Sequence, residues 1–518
     1  MAQIQVSDLT FCYEGSYDTI FENVSFCIDT DWKLGLIGRN GKGKTTFLKL
    51  LMGEYEYQGS IRSSVKFDYF PYILSQKQLE WDTLDWVEAI RPDYELWKLC
   101  RELELLRMDA GVLYRPVKTL SHGERTKVML ALLFSGDHAF LLIDEPTNHL
   151  DMDTRRQVQE YLKTKKGFIL VSHDRQILDA CVDHVLALER CQIRVEKGNF
   201  STWWENRQRR EQHERTENEK RRQEIAKLEE AARKTALWAE KVERTKIGFD
   251  PVKEPDRTKD TRAYLGEKSR RMQQRRKNVE RRRQIAIEEK AGLLKNVEET
   301  EELKLMPLAH YKECYVLARD MTISYGDYEA VSHFSMELKR GERILLRGAN
   351  GCGKSSIIKA ILSLENVQVL GRMPSEFEDA DRQIQGELTA AKGLRISYIS
   401  QDTSFLKGKL EEYAASMGLD ASLFRAILRK LDFERTQFDK NMETYSEGQK
   451  KKVLAAGSLL QQAHLYIWDE PLNYIDLFSR MQIEDLICRY RPTMLLVEHD
   501  QAFGERCATR IIELPDRA

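Results

Sequence analysis

No apolar run in this 518-residue chain approaches the ~18 residues of a membrane span. No transmembrane segment is therefore expected. The N-terminus has no basic stretch followed by an apolar one, so no secretory signal is expected either. The nine cysteines are scattered, and no Cys-x-x-Cys pair occurs. That argues against a zinc or iron–sulfur module and fits a reducing, cytoplasmic setting. The net charge is only −1, which by itself points to no partner. At this length two or more domains are the default, and an apolar fraction of 42% is ample for their cores.

The balanced charge hides a segregation. Residues 201–300 carry 28 Lys and Arg against 20 Asp and Glu, so the rest of the chain is acidic. Within Arg262–Arg283 there are ten basic residues against Glu267 and Glu280. A charge run of this kind is ordinarily a solvated helix face. The whole stretch 201–306 reads as two long helices around a tip at about 245–262. Ile225, Leu228, Ala232, Thr235, Ala239 and Val242 recur at alternating spacings of three and four, a narrow seam for an antiparallel partner. Leu265, Met272, Val279, Ala286 and Leu293 offer a weaker one. Between them Gly248, Pro251 and Pro255 cannot continue a helix.

On each side of that stretch lies a unit rich in strand and glycine patterns. In the first, Lys33–Ile37 reads as a strand running into Gly38-Arg39-Asn40-Gly41-Lys42-Gly43-Lys44-Thr45, with a helix from Thr46. Glycines there let backbone N–H groups face phosphates, Lys44 reaches the β- and γ-phosphates, and the Thr45 hydroxyl is placed for Mg²⁺. Ala139–Glu145 is an apolar strand ending in two acids. Asp144 would hold Mg²⁺ and Glu145 would polarise the attacking water. His173 ends a further apolar strand, in place to contact a γ-phosphate. Leu120-Ser121-His122-Gly123-Glu124 opens a helical run, where Ser121 and Gly123 offer N–H groups and a helix dipole to another phosphate.

The pattern returns after the central stretch. Gly348-Ala349-Asn350-Gly351-Cys352-Gly353-Lys354-Ser355 is a second phosphate loop, followed by Ser356. Tyr445-Ser446-Glu447-Gly448-Gln449 is a second helix start. Leu465–Glu470 again ends in two acids, Asp469 and Glu470, and His499 repeats His173. Gly38 and Gly348 are 310 positions apart, whereas Ser121/Ser446 and Asp144/Asp469 are both 325 apart. The copies are collinear, and the second gains about 15 residues between loop and helix start. Asn366–Leu388, polar and rich in glycine and acids, is expected to be that gain and to form a surface loop.

In this order the motifs resemble an ATP-binding-cassette domain, twice over. The resemblance implies an α/β fold, with two tandem P-loop ATPase domains (1–200 and 307–518) joined by an antiparallel helical hairpin (201–306). It implies ATP and Mg²⁺ as cofactors, and Tyr13 and Tyr325 as the aromatics stacked on adenine. It places Gln401 as the Mg²⁺-contacting Q-loop glutamine of the second copy. In the first copy Tyr72 stands where that glutamine is expected, and Gln76 is the nearest alternative. In the family each ATP lies between one copy's phosphate loop and the other's LSxGE/Q motif. Lys44, Thr45, Thr46, Asp144, Glu145 and His173 would face Ser446, Gly448 and Gln449. Lys354, Ser355, Ser356, Asp469, Glu470 and His499 would face Ser121 and Gly123. A monomer with an intramolecular ATP sandwich follows.

Two cassettes in one chain with a helical linker are similar to the ABC-F ATPases. That resemblance implies a bacterial 70S ribosome as partner, entry at its tRNA exit site, contact with 23S rRNA and P-site tRNA, and no membrane domain. Trp468-Asp469-Glu470-Pro471-Leu472-Asn473-Tyr474-Ile475-Asp476 and Tyr264–Met272 resemble the antibiotic-resistance branch, which protects against pleuromutilins, lincosamides and streptogramin A. Phe249, Pro251 and Val252 would then be the protective tip, and Lys268, Arg270, Arg271, Arg275 and Arg276 would contact rRNA. A housekeeping ABC-F translation factor is the alternative. The soluble ATPase of a membrane transporter is a more distant one, because such a subunit needs no basic rod.

Overall fold

The computed structural model describes residues 2–13, 19–136, 139–148, 150–189, 191–244, 281, 305–326, 328–349, 351–371, 374–377, 379, 381–431, 433, 437–472, 475–498 and 500–515. The chain forms two compact units, Met1–Trp203 with Glu302–Ala518, and Trp204–Glu301. The first unit holds both copies of the repeat.

Each copy builds one large sheet and one small one. In the first copy the strands are β1 (Gln3–Cys12), β2 (Thr19–Asp29), β3 (Lys33–Ile37), β4 (Gln58–Ser63), β5 (Lys66–Phe70), β6 (Ala139–Asp144), β7 (Phe168–Val171), β8 (His184–Glu189) and β9 (Gln192–Lys197). The large sheet has the order β5-β6-β7-β3-β8-β9, and only β9 runs antiparallel to its neighbour. The short apolar runs of β6 and β7 are buried on both faces, as parallel strands under helices must be. β2, β1 and β4 form an antiparallel sheet. Phe47 and Leu48, from the helix Lys44–Met52, join Leu34, Leu142 and Ile169 in the core between the layers.

The second copy repeats this plan with β10 (Cys314–Tyr325), β11 (Tyr328–Lys339), β12 (Arg343–Arg347), β13 (Val367–Val369), β14 (Arg382–Ala390), β15 (Leu394–Ile399), β16 (Leu465–Asp469), β17 (Met494–Val497) and β18 (Arg510–Glu513). Its sheets run β13-β15-β16-β17-β12-β18 and β11-β10-β14. Asn366–Leu388 does not form the expected surface loop. That segment adds β13 as a parallel edge strand on β15, then a short 3-10 turn, Pro374–Phe377, then most of β14. Val367, Val369 and Phe377 are buried, and Phe377 packs edge-on against Tyr398. Three apolar side chains at suitable spacing were enough to anchor a stretch whose overall composition is polar.

In the second unit the helix Phe200–Arg244 runs for 45 residues, about 68 Å at 1.5 Å per residue. Ion pairs one turn apart line it, including Arg207–Glu211 at 2.9 Å and Lys234–Glu230 at 2.7 Å. The helix begins in the first unit, where Phe200 and Trp203 are buried and Trp203 packs on Phe478 with ring centres 6.0 Å apart.

Candidate functional site

In parallel sheets ligands bind beyond the carboxyl ends of the strands. β3, β6 and β7 end side by side there, and β12, β16 and β17 do so in the second copy. Each phosphate loop leaves the central strand at that edge and turns into a helix. Gly43 (φ 97°) and Gly353 (φ 92°) cap those helices in the left-handed region. A Cβ on Gly43 would lie 2.5 Å from Ile20, and one on Gly353 would lie 2.3 Å from Val331. Gly41 and Gly351 also have positive φ. The loops thus curl tightly, with backbone N–H groups presented to an anion.

The lysines close the curls. Lys44 Nζ donates to the Gly38 carbonyl at 2.7 Å and to Asn40 Oδ1 at 3.0 Å. Lys354 Nζ donates to the carbonyls of Gly348 and Ala349, both at 2.8 Å. Burial lowers the Lys44 pKa, and the carboxylates of Glu145, Asp476 and Asp144 oppose that. Beside each lysine a hydroxyl meets the first acid of the pair. Thr45 Oγ1 donates to Asp144 Oδ2 at 2.8 Å, and Ser355 Oγ donates to Asp469 Oδ2 at 3.0 Å. Asp469 Oδ1 is buried with no hydrogen-bond partner among the described residues. An acceptor-only oxygen beside a hydroxyl suits a hard divalent cation that takes its remaining ligands from phosphate and water. Magnesium held there by Thr45 and Asp144, or by Ser355 and Asp469, would supply charge neutralisation on phosphate oxygens. Burial pushes the Asp469 carboxyl up to about 6 when no cation is present.

The second acids are held in unusual backbone geometry. Glu145 and Glu470 have φ of 51° and 49°, left-handed in non-glycine residues. Such strain persists only where the surroundings impose it. Here the Glu145 N–H donates to Val171 O at 2.9 Å, and the Glu470 N–H donates to Val497 O at 3.0 Å. Glu145 Oε1 lies 3.2 Å from His173 Nε2. Burial raises its carboxyl to about 8, against the pull of Lys44, and burial likewise drives His173 well below its ordinary range. In its ionised form, a carboxylate held beside a phosphate loop can take a proton from water. In the second copy Gln401 Nε2 donates to Glu470 Oε2 at 2.9 Å.

Strand register fixes the equivalences at the Q-loop. Phe70 pairs Ile143 as Ile399 pairs Trp468, so Tyr72 and Gln401 occupy the same place. Tyr72 does not act as that glutamine. Its hydroxyl donates to both Asp68 oxygens at 3.2 Å, and Asp68 is paired with Arg91. Tyr69 comes to the site instead, donating to Asp144 Oδ2 at 3.1 Å. Gln76 opens an exposed 3-10 turn. Tyr13 Oη lies 2.7 Å from Thr46 Oγ1, and Tyr325 Oη donates to Ser356 Oγ at 3.3 Å. Each tyrosine is thereby tethered just past its phosphate loop.

Ser121 and Ser446 are N-caps of the helices His122–Phe134 and Glu447–Leu460. Each accepts from the N–H three residues on (Glu124 and Gln449), whose side chains return the bond. Gly123 and Gly448 fall in the first turns. Three residues of the second copy reach the first site from across the boundary. Lys452 and Asp476, a buried pair at 2.9 Å, act on Lys44, and Arg480 donates to the His173 carbonyl at 3.2 Å. The repeated spacing Asp151–Arg155 and Asp476–Arg480 was a sequence signal for Arg480. Lys451, which donates to the carbonyls of Ser400 and Glu470, had none. Asn350, His499, Phe249, Pro251, Val252, Lys268, Arg270, Arg271, Arg275 and Arg276 lie outside the described residues.

The ABC transporter family model matches residues 21–148 and 331–473, slightly over half of the chain. The ribosome protection protein VmlR of Bacillus subtilis is 26% identical over 505 residues, covering 95% of this chain and 84% of its own length. The ATP-binding protein Uup of Caulobacter vibrioides is 27% identical, covering 96% and 74%. The energy-dependent translational throttle protein EttA of Haemophilus influenzae is 25% identical, covering 96% and 89%. Among solved structures, the archaeal ribosome recycling factor aABCE1, in complex with the stalk protein aP1, aligns with a TM-score of 0.59 at 19% identity. It covers 98% of this chain and 87% of that one, and shows a shared fold.

Proposed function

The chain belongs to the ABC transporter family and is an ABC-F ATPase, and from that premise we propose that it acts in the cytoplasm on the bacterial ribosome, not on a membrane partner. The observation that carries this reading is the single-chain arrangement. Two phosphate-loop sites with apposed cassettes flank a separate basic segment of about a hundred residues, Trp204–Glu301. No helix among the described residues is long and apolar enough to cross a membrane. ATP, sandwiched between the halves, closes them on the ribosome, and hydrolysis with Glu145 and Glu470 as bases releases them. The linker enters the tRNA exit site beside P-site tRNA, its basic run on 23S rRNA. Its tip approaches the peptidyl-transferase centre and dislodges inhibitors of the pleuromutilin, lincosamide and streptogramin A type. The relative whose printed name is a ribosome protection protein supports the last step.

Glu145→Gln combined with Glu470→Gln should leave ATP binding intact and lower turnover by roughly 10²–10⁴-fold, as expected for loss of a general base. The doubly changed protein should co-sediment with 70S ribosomes in ATP. Ordinary turnover, or no ribosome retention, overturns the reading. The relative with a translational-throttle name favours a second version, a translation factor without a drug role. A strain carrying the protein with Gly248–Asp260 replaced by a short Gly/Ser linker separates the two. Loss of drug resistance with ribosome binding kept supports protection, and unchanged drug susceptibility supports the second version.

A further inference from the structure

The cassette boundary is not symmetric. Arg175 begins the helix Arg175–Cys181, two residues after His173. Its guanidinium is ion-paired to Glu484, on the helix Leu477–Tyr490 of the other cassette. Glu484 has no exposed surface, and its second oxygen takes Arg506 of its own cassette at 3.1 Å. Arg480, one turn before Glu484 on the same face, holds the His173 carbonyl at 3.2 Å. Two side chains of one helix therefore grip the His173–Arg175 segment.

The repeat allows a direct comparison at the second site. Helix Met152–Thr164 matches Leu477–Tyr490, and Arg175–Cys181 matches Gln501–Cys507. Arg480 has its equivalent in Arg155. The ionic triad has none. Gln501 stands for Arg175, Gln159 for Glu484 and Ala180 for Arg506. Gln501 is exposed and donates to Glu505 of its own helix at 2.6 Å. Two glutamines and an alanine cannot form this ion pair.

We propose that Glu484 is a one-sided clamp, a positioning residue that fixes the His173 segment of the first ATP site in trans and has no counterpart at the second. Separating the cassettes at the first site breaks a desolvated interfacial charge pair, Arg175–Glu484, which slows opening even though Glu484 keeps Arg506. Separating them at the second does not. The first site consequently holds its nucleotide longer, and opening starts at the second. This rests on the ATPase reading alone and needs no ribosome.

The test uses purified full-length protein without ribosomes and follows release of a fluorescent ATP analogue. Lys354→Ala leaves the first site to be read, and Lys44→Ala leaves the second. In the first background Glu484→Gln should speed release about tenfold or more, the worth of one hydrogen bond between charged groups, and in the second it should change release less than twofold. A general packing defect would move both sites alike, and that result, or no change in either, overturns the proposal. If Glu484→Gln does not fold, the transplant Gln159→Glu, Ala180→Arg, Gln501→Arg decides. It should slow release at the second site about tenfold; unchanged release there overturns the proposal.

Discussion

Asp144 Oδ2 receives two hydroxyls, Thr45 at 2.8 Å and Tyr69 at 3.1 Å. Strand register puts Tyr398 at the position of Tyr69 in the second copy, where it packs edge-on against Phe377. Burial raises the Asp144 carboxyl, and the two hydrogen bonds pull it back toward the charged form that a cation needs. Tyr69 thus supports a metal ligand from behind, in a copy whose Q-loop residue, Tyr72, is turned to Asp68. Supporting groups of this kind are worth roughly 10–100-fold in metal affinity. With Glu470→Gln silencing the second site, Tyr69→Phe should raise the Mg²⁺ concentration for half-maximal ATPase activity about tenfold. With Glu145→Gln silencing the first, it should leave that concentration unchanged. Equal Mg²⁺ curves in the two backgrounds would exclude the role.

The phosphate loops, acid pairs and capped helix starts were legible residue by residue, because their chemistry admits few residue types at fixed spacings. Tyr69 was not. Within Phe67–Tyr72 it looks like any strand aromatic, and only the pairing of β5 with β6 aims it at Asp144. Glu484 was hidden for another reason. Its partner lies 309 positions away, and the repeat that exposes so much else carries a glutamine at that place.

At the scale of elements, the two copies share backbone irregularities as well as motifs. β1 and β4 cross where Asp8 (φ 52°) faces Gly59, and β10 and β14 cross where Asp320 (φ 47°) faces Gly386. The register of β1 with β4 shifts there between Ser7 and Thr10, and that of β10 with β14 between Arg319 and Thr322, the marks of a bulge. A Cβ on Gly386 would meet the Asp320 carbonyl at 2.2 Å, and the glycine sits at φ 92°. Gly386→Ala should therefore cost about 1–3 kcal/mol and lower the melting temperature by roughly 2–10 °C. A shift below about 1 °C would mean that the strands part without strain. The composition of Asn366–Leu388 reads as a loop because the segment is specified by pairing. Its polar residues belong to an exposed edge strand, and β14 is specified by pairing with β10 more than by its own apolar content.

At the scale of the whole molecule, charge is what separates the segment between the cassettes from the rest. Residues 201–300 are basic in a chain whose remainder is acidic. If the run were only a solvated helix face, removing its charges would alter solubility and little else. If it lies on RNA phosphates, each cation lost reduces the number of counterions released on binding, and the salt dependence changes with it. Lys268, Arg270, Arg271 and Arg275 are the charges to remove, since they are remote in sequence from every nucleotide-site residue. Changing all four to Gln should reduce the slope of log K against log salt for 70S binding by about 3, at ~0.7–0.9 for each phosphate contact. Binding should weaken most at low salt, where counterion release contributes most. ATPase activity without ribosomes should stay within twofold of the parent, because the catalytic groups belong to the other compact unit. An unchanged slope would return the run to the status of a solvated face. The cassettes would then have to supply whatever grip the protein has on the ribosome.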